Sequence, residues 1–187
     1  MLKYYKTVNN RLEELDDIED GCWIEATAPT EAEISKLEHE LSVDRDFIRA
    51  ALDEEETSRI ENEEGQVLIV LDYPVAERAV KAESKQRRSR FKKNRNADNE
   101  PFTYYTVPMG IIHTSNNVIT VSLKSNPILE DFAHGVVKGF RTDFRTQFTF
   151  HILLRVAGKY LQYLKQIDKL SGLIESRLLS SMHNKEL

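Results

Sequence analysis

Apolar and polar residues alternate over several short segments of the chain, in the pattern typical of strands. Leu2–Val8 and Cys22–Ala28 are the first two such segments, with an acidic turn between them. Ser58–Asn62 and Gln66–Tyr73 follow and predict a hairpin, because Glu63-Glu64-Gly65 between them is a turn sequence. A further strand pair is predicted over two later segments, Thr103–His113 and Val118–Leu123.

Three short helices are predicted from their capping residues. Thr30 and Glu33 have the spacing of a capping box, in which each residue's side chain accepts a hydrogen bond from the backbone N–H of the other. A second helix is predicted to begin near Asp44, and Asn126-Pro127 opens a third. We expect these helices and strands to form one domain over residues 1–140.

The section from about residue 143 to residue 182 contains no proline and predicts one long helix. Its apolar residues recur by four and three, as in a heptad seam that needs a partner helix. A helix of this length spans about 60 Å and should project from the domain as a stalk. We therefore assign residues 141–187 to the start of a stalk helix that is truncated. The seam, in which Ser171 is the one polar member, consists of Leu153, Ala157, Tyr160, Leu164, Ile167, Ser171, Ile174 and Leu178.

Composition excludes several classes of protein. The chain has 187 residues, 40% of them hydrophobic, and a net charge of -5, which suits a folded globular protein better than a general nucleic-acid binder. Cys22 is the one cysteine and is predicted to be a buried, inert thiol. No segment has the roughly 20 apolar residues of a membrane helix. No phosphate loop, nucleophile elbow or histidine metal motif is present, so an enzyme is not predicted.

The charge pattern changes between about residues 77 and 100, where a mobile basic loop is predicted. Eight lysines and arginines crowd the run 81–95, and almost nothing apolar accompanies them. Two functions fit such a run: contact with anionic lipid headgroups, or binding of nucleic acid.

Six short motifs follow one another in an order and spacing that resemble the cytosolic N-terminal domain of the CorA family of divalent-cation transporters. They are Trp23-Ile24 followed by Pro29-Thr30, Leu41-Ser42-Val43 to Ala51-Leu52-Asp53, Ser58-Arg59-Ile60-Glu61, Val67-Leu68-Ile69-Val70-Leu71, Val118-Ile119-Thr120-Val121-Ser122, and Lys165-Gln166-Ile167-Asp168. The Gly-Met-Asn tripeptide of that family and its membrane helices are absent from the sequence, so the resemblance implies a truncated portion on the cytoplasmic side of a cell-membrane transporter.

The resemblance also implies a fold and a mechanism. In that family the corresponding portion is an α/β/α sandwich, with a mixed or largely antiparallel sheet, that leads into a stalk helix. Five copies form a homopentamer, and Mg²⁺ bound between neighbouring subunits keeps the pore closed. Some members carry Zn²⁺ or other divalent ions, and selectivity would be decided in the pore. The implied function is therefore magnesium sensing.

The resemblance places candidate metal ligands on two helices. The family's regulatory carboxylate on the second helix corresponds to Ala50, where this chain departs from the pattern, and the nearest acids are Asp46 and Asp53. An acid on the family's stalk helix corresponds to Asp168. Carboxylate oxygens suit Mg²⁺, which is usually held by only one or two carboxylates together with water. We expect Asp46, Asp53 and Asp168 to be metal ligands.

A second function from another class remains open. The heptads and the basic run 81–95 also fit a soluble coiled-coil interaction module or a nucleic-acid-binding module. Salt-dependent binding of DNA or RNA, lost when that run is neutralised, would distinguish this alternative from the transporter domain.

Overall fold

A computed structural model describes residues 1–78 and 102–183, with side chains through residue 181. The described residues form seven strands and four helices. The strands are β1 Leu2–Val8, β2 Arg11–Leu15, β3 Trp23–Thr27, β4 Arg59–Glu63, β5 Gln66–Arg78, β6 Phe102–His113 and β7 Val118–Ser122. The helices are α1 Glu31–Leu41, α2 Arg45–Ala50, α3 Pro127–Ala133 and α4 Arg145–His183.

One mixed sheet contains all seven strands in the order β2-β1-β3-β7-β6-β5-β4. Strands β3 and β7 pair in parallel, with Trp23 opposite Val118, and every other neighbouring pair is antiparallel. The predicted hairpin is present as β4 and β5, and its turn residues Glu64 and Gly65 both have positive φ. With helices on both faces, the fold is the predicted α/β/α sandwich.

Helices α1 and α2 cover one face of the sheet. The predicted capping box begins α1, because the Thr30 side chain accepts from the Glu33 N–H and the Glu33 side chain accepts from the Thr30 N–H. Helix α2 begins at the predicted cap, Asp44. The apolar residues of this layer pack on alternate residues of the central strands, since neighbouring residues of a strand point to opposite faces. The layer includes Ile34, Leu37, Val43, Phe47, Ile48 and Ala51 over Ile24, Leu68, Val70, Ile112 and Val121.

Helices α3 and α4 cover the opposite face around Trp23, which is fully buried. Its ring stacks on Tyr5 at 4.8 Å and meets the edge of Phe148 at 5.2 Å. The indole N–H donates to the Thr120 hydroxyl at 2.9 Å, so the polar atom of this large side chain is satisfied within the core. Aromatic packing of this kind attaches α4 to the sheet through Phe148, and Ile152 and Val156 continue the contact.

Two strands differ from the prediction. Strand β2, Arg11–Leu15, was not predicted, because its sequence is mostly charged, as is common in edge strands that resist further pairing. Strand β5 continues past Tyr73, its predicted end, to Arg78. Among the described residues, one edge of β5 has no partner strand there, so Pro74 is tolerated. Residues 77 and 78 therefore belong to the strand, and not to the predicted loop, whose other residues lie outside the described part.

Strands β5 and β6 extend beyond their neighbours as a two-stranded ribbon, formed by residues 71–78 and 102–108. This ribbon contacts α4 at two levels. The Tyr160 hydroxyl donates to the backbone carbonyl of Asp72 at 3.2 Å. Further along, the Tyr104 ring lies 5.5 Å from that of Tyr163, and the Tyr104 hydroxyl donates to Gln166 at 3.2 Å. The ribbon therefore follows the helix as far as Gln166.

Helix α4 confirms the predicted long helix. Part of the predicted heptad seam, however, packs on the domain itself and is not available to a partner helix. Tyr160, one of the predicted seam residues, is half-buried against the core and the ribbon. From Leu164 to Ser181 every residue is exposed, including Ile167, Ile174 and Leu178. None of the four helices within the described ranges combines the length and the apolar character that a bilayer crossing needs. The assignment of α4 as a stalk, and the division at residue 140, stay predictions.

Candidate functional site

Asp46 lies inside helix α2, Asp53 lies three residues beyond its end, and both are exposed. Asp46 lies in the first turn, where a carboxylate interacts favourably with the helix dipole, and its backbone N–H donates to Asp44 at 2.8 Å. Asp53 lies just beyond the C-terminal end, and its Oδ1 accepts from the Glu55 N–H at 3.0 Å. One oxygen of Asp53 is therefore engaged in the turn.

Glu56, the last residue of the acidic segment 53–56, is compensated by a cation of the same chain. Glu56 forms an ion pair with Arg59 at the start of β4, and Arg59 also contacts Glu61 at 3.0 Å. These carboxylates raise the pKa of Arg59, with the hydrogen bond to Glu61 as the largest cause. The arginine supplies a positive charge beside acids that a helix C-terminus disfavours.

Ala50 is the last residue of α2 and is half-buried against the core layer of α1 and α2. A methyl group offers no metal ligand, and the next residue, Ala51, is fully buried. The position to which the resemblance assigns a carboxylate is therefore a packing position in this chain.

Asp168 is exposed and lies on α4, the helix whose first part packs on the other face of the sheet, and it comes after Tyr160, the last α4 residue of that core. Asp46 and Asp53 belong to the layer of α1 and α2, so one copy of the chain does not bring the three predicted ligands together. Across residues 1–78 and 102–183, no group of three or more histidine, cysteine or acidic side chains is placed to hold a metal ion. The carboxylates fit Mg²⁺ in their chemistry, and each supplies at most part of a site.

Glu25 is a buried acid that sequence reasoning did not select. It lies on β3 between Ile24 and Ala26 with 7% of its surface exposed, on the face that carries α3. Burial raises the pKa of its carboxyl group, while the nearby charge of Lys3 acts in the opposite direction. Glu25 is the one charged residue within the predicted strand Cys22–Ala28, and this could have indicated a buried acid from the sequence.

His113 connects the end of β6 to helix α4. Its Nε2 lies 2.7 Å from the Thr149 hydroxyl, and Arg145 donates to the backbone carbonyl of Thr114 beside it. Burial lowers the pKa of His113, and the nearby Arg145 guanidinium lowers it further. Among the residues described, His113 belongs to no group of three or more histidine, cysteine or acidic side chains that could hold a metal ion, and its contacts are those of a structural histidine.

Two predictions lie wholly or partly outside the described residues. The basic run 81–95, on which contact with lipid or nucleic acid depends, falls outside them, and so does the end of the predicted stalk at 184–187. Both stay predictions from the sequence.

Comparison with solved structures identifies the fold. The complete CorA magnesium transporter from Methanocaldococcus jannaschii matches with a TM-score of 0.69 and 18% identity, over 96% of this chain and 51% of that one. The soluble domain of the same protein matches with a TM-score of 0.69 and 20% identity, over 96% and 65% of the two chains. The ZntB cytoplasmic domain from Vibrio parahaemolyticus matches with a TM-score of 0.61 and 12% identity, over 89% and 62%.

The chain thus spans about half of the complete transporter and less than two thirds of the soluble domain. A search of curated proteins gave no match. A family model described as CorA-like Mg²⁺ transporter protein, however, matches residues 19–187, which is nearly the whole sequence. The chain therefore belongs to the family of CorA-like Mg²⁺ transporter proteins.

Proposed function

We propose that this chain is the cytosolic regulatory domain of a membrane transporter for Mg²⁺ or another divalent cation. Family membership supports the transporter class, and the match to a soluble CorA domain supports the role of a domain outside the membrane. In the full-length protein this domain would lie on the cytoplasmic side of the cell membrane, within a homo-oligomer that we expect to be a pentamer.

The observation that carries the sensing proposal is the placement of exposed acids on opposite layers of the sandwich. Asp46 and Asp53 lie at the two ends of α2, whereas Asp168 lies on α4 across the sheet. In a ring, each subunit presents one side to one neighbour and the other side to the next. Acids on opposite layers can therefore approach each other between copies, although they cannot do so within one copy.

Facing carboxylates from two subunits repel each other, and a divalent cation between them would neutralise that repulsion. Asp53 keeps one carboxylate oxygen outside its turn hydrogen bond, and Asp46 is exposed in the first turn of α2. Single carboxylates of this kind suit Mg²⁺, which retains several of its water ligands. Subunits joined in this way would separate when the free Mg²⁺ concentration falls, so the closed state would depend on cytosolic magnesium.

Helix α4 supplies the second element of the proposal, since its exposed apolar side chains require a partner helix. Leu161, Leu164 and Ile174 are each more than half exposed. Apolar residues at heptad spacing on one helix are stabilised by packing against another helix. The same helix carries Asp168, so packing of α4 would also position this candidate ligand.

The proposal is tested by the thermal stability and mass of the chain with and without Mg²⁺. In the wild type, millimolar Mg²⁺ should raise both the melting temperature and the oligomer mass, because metal bound to the assembled form stabilises it. The double substitution Asp53→Asn and Asp168→Asn should abolish the rise. Asp16→Asn, at an exposed acid in the turn before β3, is the matched control and should keep it.

A rise that persists unchanged in the double variant would exclude Asp53 and Asp168 as ligands, and Asp46→Asn should then be compared. If Mg²⁺ changes neither the mass nor the melting temperature of the wild type, metal sensing by this domain is refuted. Replacing Mg²⁺ with Zn²⁺ or Co²⁺ at equal concentration would identify the preferred ion.

A further inference from the structure

A cleft of about 600 Å³ lies between the β1–β2 hairpin and the loop after α3, far in sequence from the candidate metal ligands. Its size falls in the range of about 300–1,000 Å³ that is usual for small-molecule sites. The β1–β2 turn contributes Asn10 and Arg11 to one wall, and the segment 132–140 contributes the other.

The charge of the cleft is positive, although the chain as a whole has a net charge of -5. Among the described residues, Arg11, Lys138 and His134 line it, and no aspartate or glutamate does. Within the described residues, neither Arg11 nor Lys138 forms an ion pair, whereas many other cations do, such as Lys6 with Glu19 at 2.7 Å. His134 interacts with the buried Glu25, so we rest the argument on the arginine and the lysine.

The floor of the cleft is apolar and well packed. Phe132 is fully buried, and Phe140 contacts it edge to face at 5.1 Å. Phe140 also stacks on Phe148 at 5.0 Å, which fixes its ring against α4. Leu12 and Val137, both half-buried, complete the apolar lining. A cation rim above an apolar floor matches a ligand that has both an anionic group and an apolar body.

The two walls are joined by a reciprocal pair of hydrogen bonds. The Thr7 N–H donates to the Thr142 hydroxyl at 3.0 Å, and the Thr142 N–H donates to the Thr7 hydroxyl at 3.1 Å. Thr142 is fully buried, so this link is shielded from water. Gly135 and Gly139 adopt positive φ in the loop, and the space beside their Cα atoms is open. The Thr7–Thr142 link fixes β1 relative to the segment that follows α3, and a wall that is already held in place lowers the cost of binding.

We infer that this cleft binds a small organic anion, in which a phosphate or carboxylate group contacts Arg11 and Lys138 and an aromatic or apolar body lies on the floor of Leu12, Val137 and Phe140. Arginine and lysine are the usual partners of phosphate and carboxylate groups. The site lies on the α3 and α4 side of the sheet and is independent of the proposed magnesium ligands.

The experiment is calorimetric titration of the 187-residue chain, without divalent metal, using ADP and 1-naphthyl phosphate as probes. At least one probe should saturate, and it should bind at least about tenfold more tightly than its uncharged counterpart, adenosine or 1-naphthol, because hydrogen bonds to a charged group are stronger than those between neutral groups. Inorganic phosphate, which has the charge without the apolar body, should bind more weakly than either probe.

Three variants locate the binding. Arg11→Gln and Lys138→Gln should each weaken it by about fivefold to tenfold, and Leu12→Asp should weaken it by placing a negative charge on the floor. Lys165→Gln removes the same charge from exposed α4 and should leave binding unchanged. Melting temperatures close to that of the wild type would establish that the variants are folded.

Several results would overturn the inference. They are an absence of saturable binding by both probes, equal affinity for a probe and its uncharged counterpart, equal affinity for inorganic phosphate, or equal weakening by Lys165→Gln. In an NMR titration, the amide signals of Gly135 and Gly139 should shift with bound probe, and shifts confined to α4 would also refute this site.

Discussion

Ala51 lies so close to Gly110 that a Cβ atom added to the glycine would come within 2.5 Å of the Ala51 Cβ. This contact seats the end of α2 directly on β6, with both residues inside the sandwich. Glycine is needed at position 110 because α2 and β6 approach each other too closely there for a side chain. The backbone conformation of Gly110 does not itself require glycine.

Gly110→Ala should destabilise the protein by about 1–3 kcal/mol, the usual cost of overpacking a core. Urea unfolding at constant pH measures the change. Gly158→Ala is the matched control, since its added Cβ meets nothing within 4 Å and the residue lies inside a helix. It should raise the free energy of unfolding by about 0.5–1 kcal/mol. Combining Ala51→Gly with Gly110→Ala should recover part of the loss, and a strictly additive result would mean that the two residues do not interact.

Glu25→Gln should make the protein more stable at neutral pH. Because burial raises the pKa of Glu25 above its ordinary value of 4.5, the folded state holds the proton more tightly than the unfolded state. The contribution of Glu25 to stability is therefore fully present below about pH 4.5 and is lost as the pH rises through the folded-state pKa. Lys3, Tyr5, Glu130 and His134 are the charged or titratable neighbours that act on this carboxyl.

The measurement for Glu25 is the free energy of unfolding of both proteins between pH 4 and pH 8. The advantage of the Glu25→Gln variant should grow as the pH rises. Glu13→Gln, at an exposed acid on β2, serves as the control and should give a nearly constant difference. A constant difference for Glu25→Gln as well would mean that its carboxyl is not destabilised by burial.

Asp131→Asn should loosen the junction between α3 and α4. The Asp131 carboxylate accepts from Arg155 at 2.9 Å and 2.5 Å, and both side chains are partly buried. We expect a loss of about 1 kcal/mol, at the upper end of values for pairs that water still reaches. Asp143→Asn removes a more exposed local pair with Arg141 and should cost less. If the two variants lose equal stability, the Asp131–Arg155 pair contributes no more to stability than the local pair Asp143–Arg141.

Leu164→Glu should reduce self-association of the chain. Leu164 is 57% exposed on α4, and a charge there would be buried in any helix pair formed through this face. Analytical ultracentrifugation at micromolar to millimolar concentration measures the mass distribution. Gln162→Glu adds the same charge at an exposed neighbouring position and should have a much smaller effect. If the two variants associate equally, the apolar face of α4 is not the contact surface.

Local patterns in the sequence were sufficient for most of the fold. The Thr30 capping box, the hairpin turn at Glu64-Gly65 and the periodicity of α4 each depend on residues close in sequence, and all three are present. Strand β2 was missed because an edge strand needs no apolar alternation. The end of β5 was placed too early because the length of the ribbon depends on its pairing with β6, which is far away in sequence.

The candidate sites depend on tertiary placement and were less predictable. The sequence suggested Asp46, Asp53 and Asp168 as ligands, but only the fold places them on opposite sides of the sheet. The cleft was not predicted at all, since Arg11 and Lys138 are separated by more than half of the chain and each alone looks like an ordinary surface cation. A short-range sequence pattern does not show which distant residues the fold brings to the same cleft.

The contact of Tyr104 with Tyr163 and Gln166 has a mechanical consequence for α4. The helix is held first by the sheet, as far as Tyr160, and then by the ribbon, as far as Gln166, and this part should rotate together with the domain as one rigid lever. Beyond Gln166 the described helix continues for about 25 Å at 1.5 Å per residue without lateral support. Bending of the helix under load would therefore concentrate just after Gln166. A small rotation of the domain would produce a larger displacement of the helix end beyond this residue.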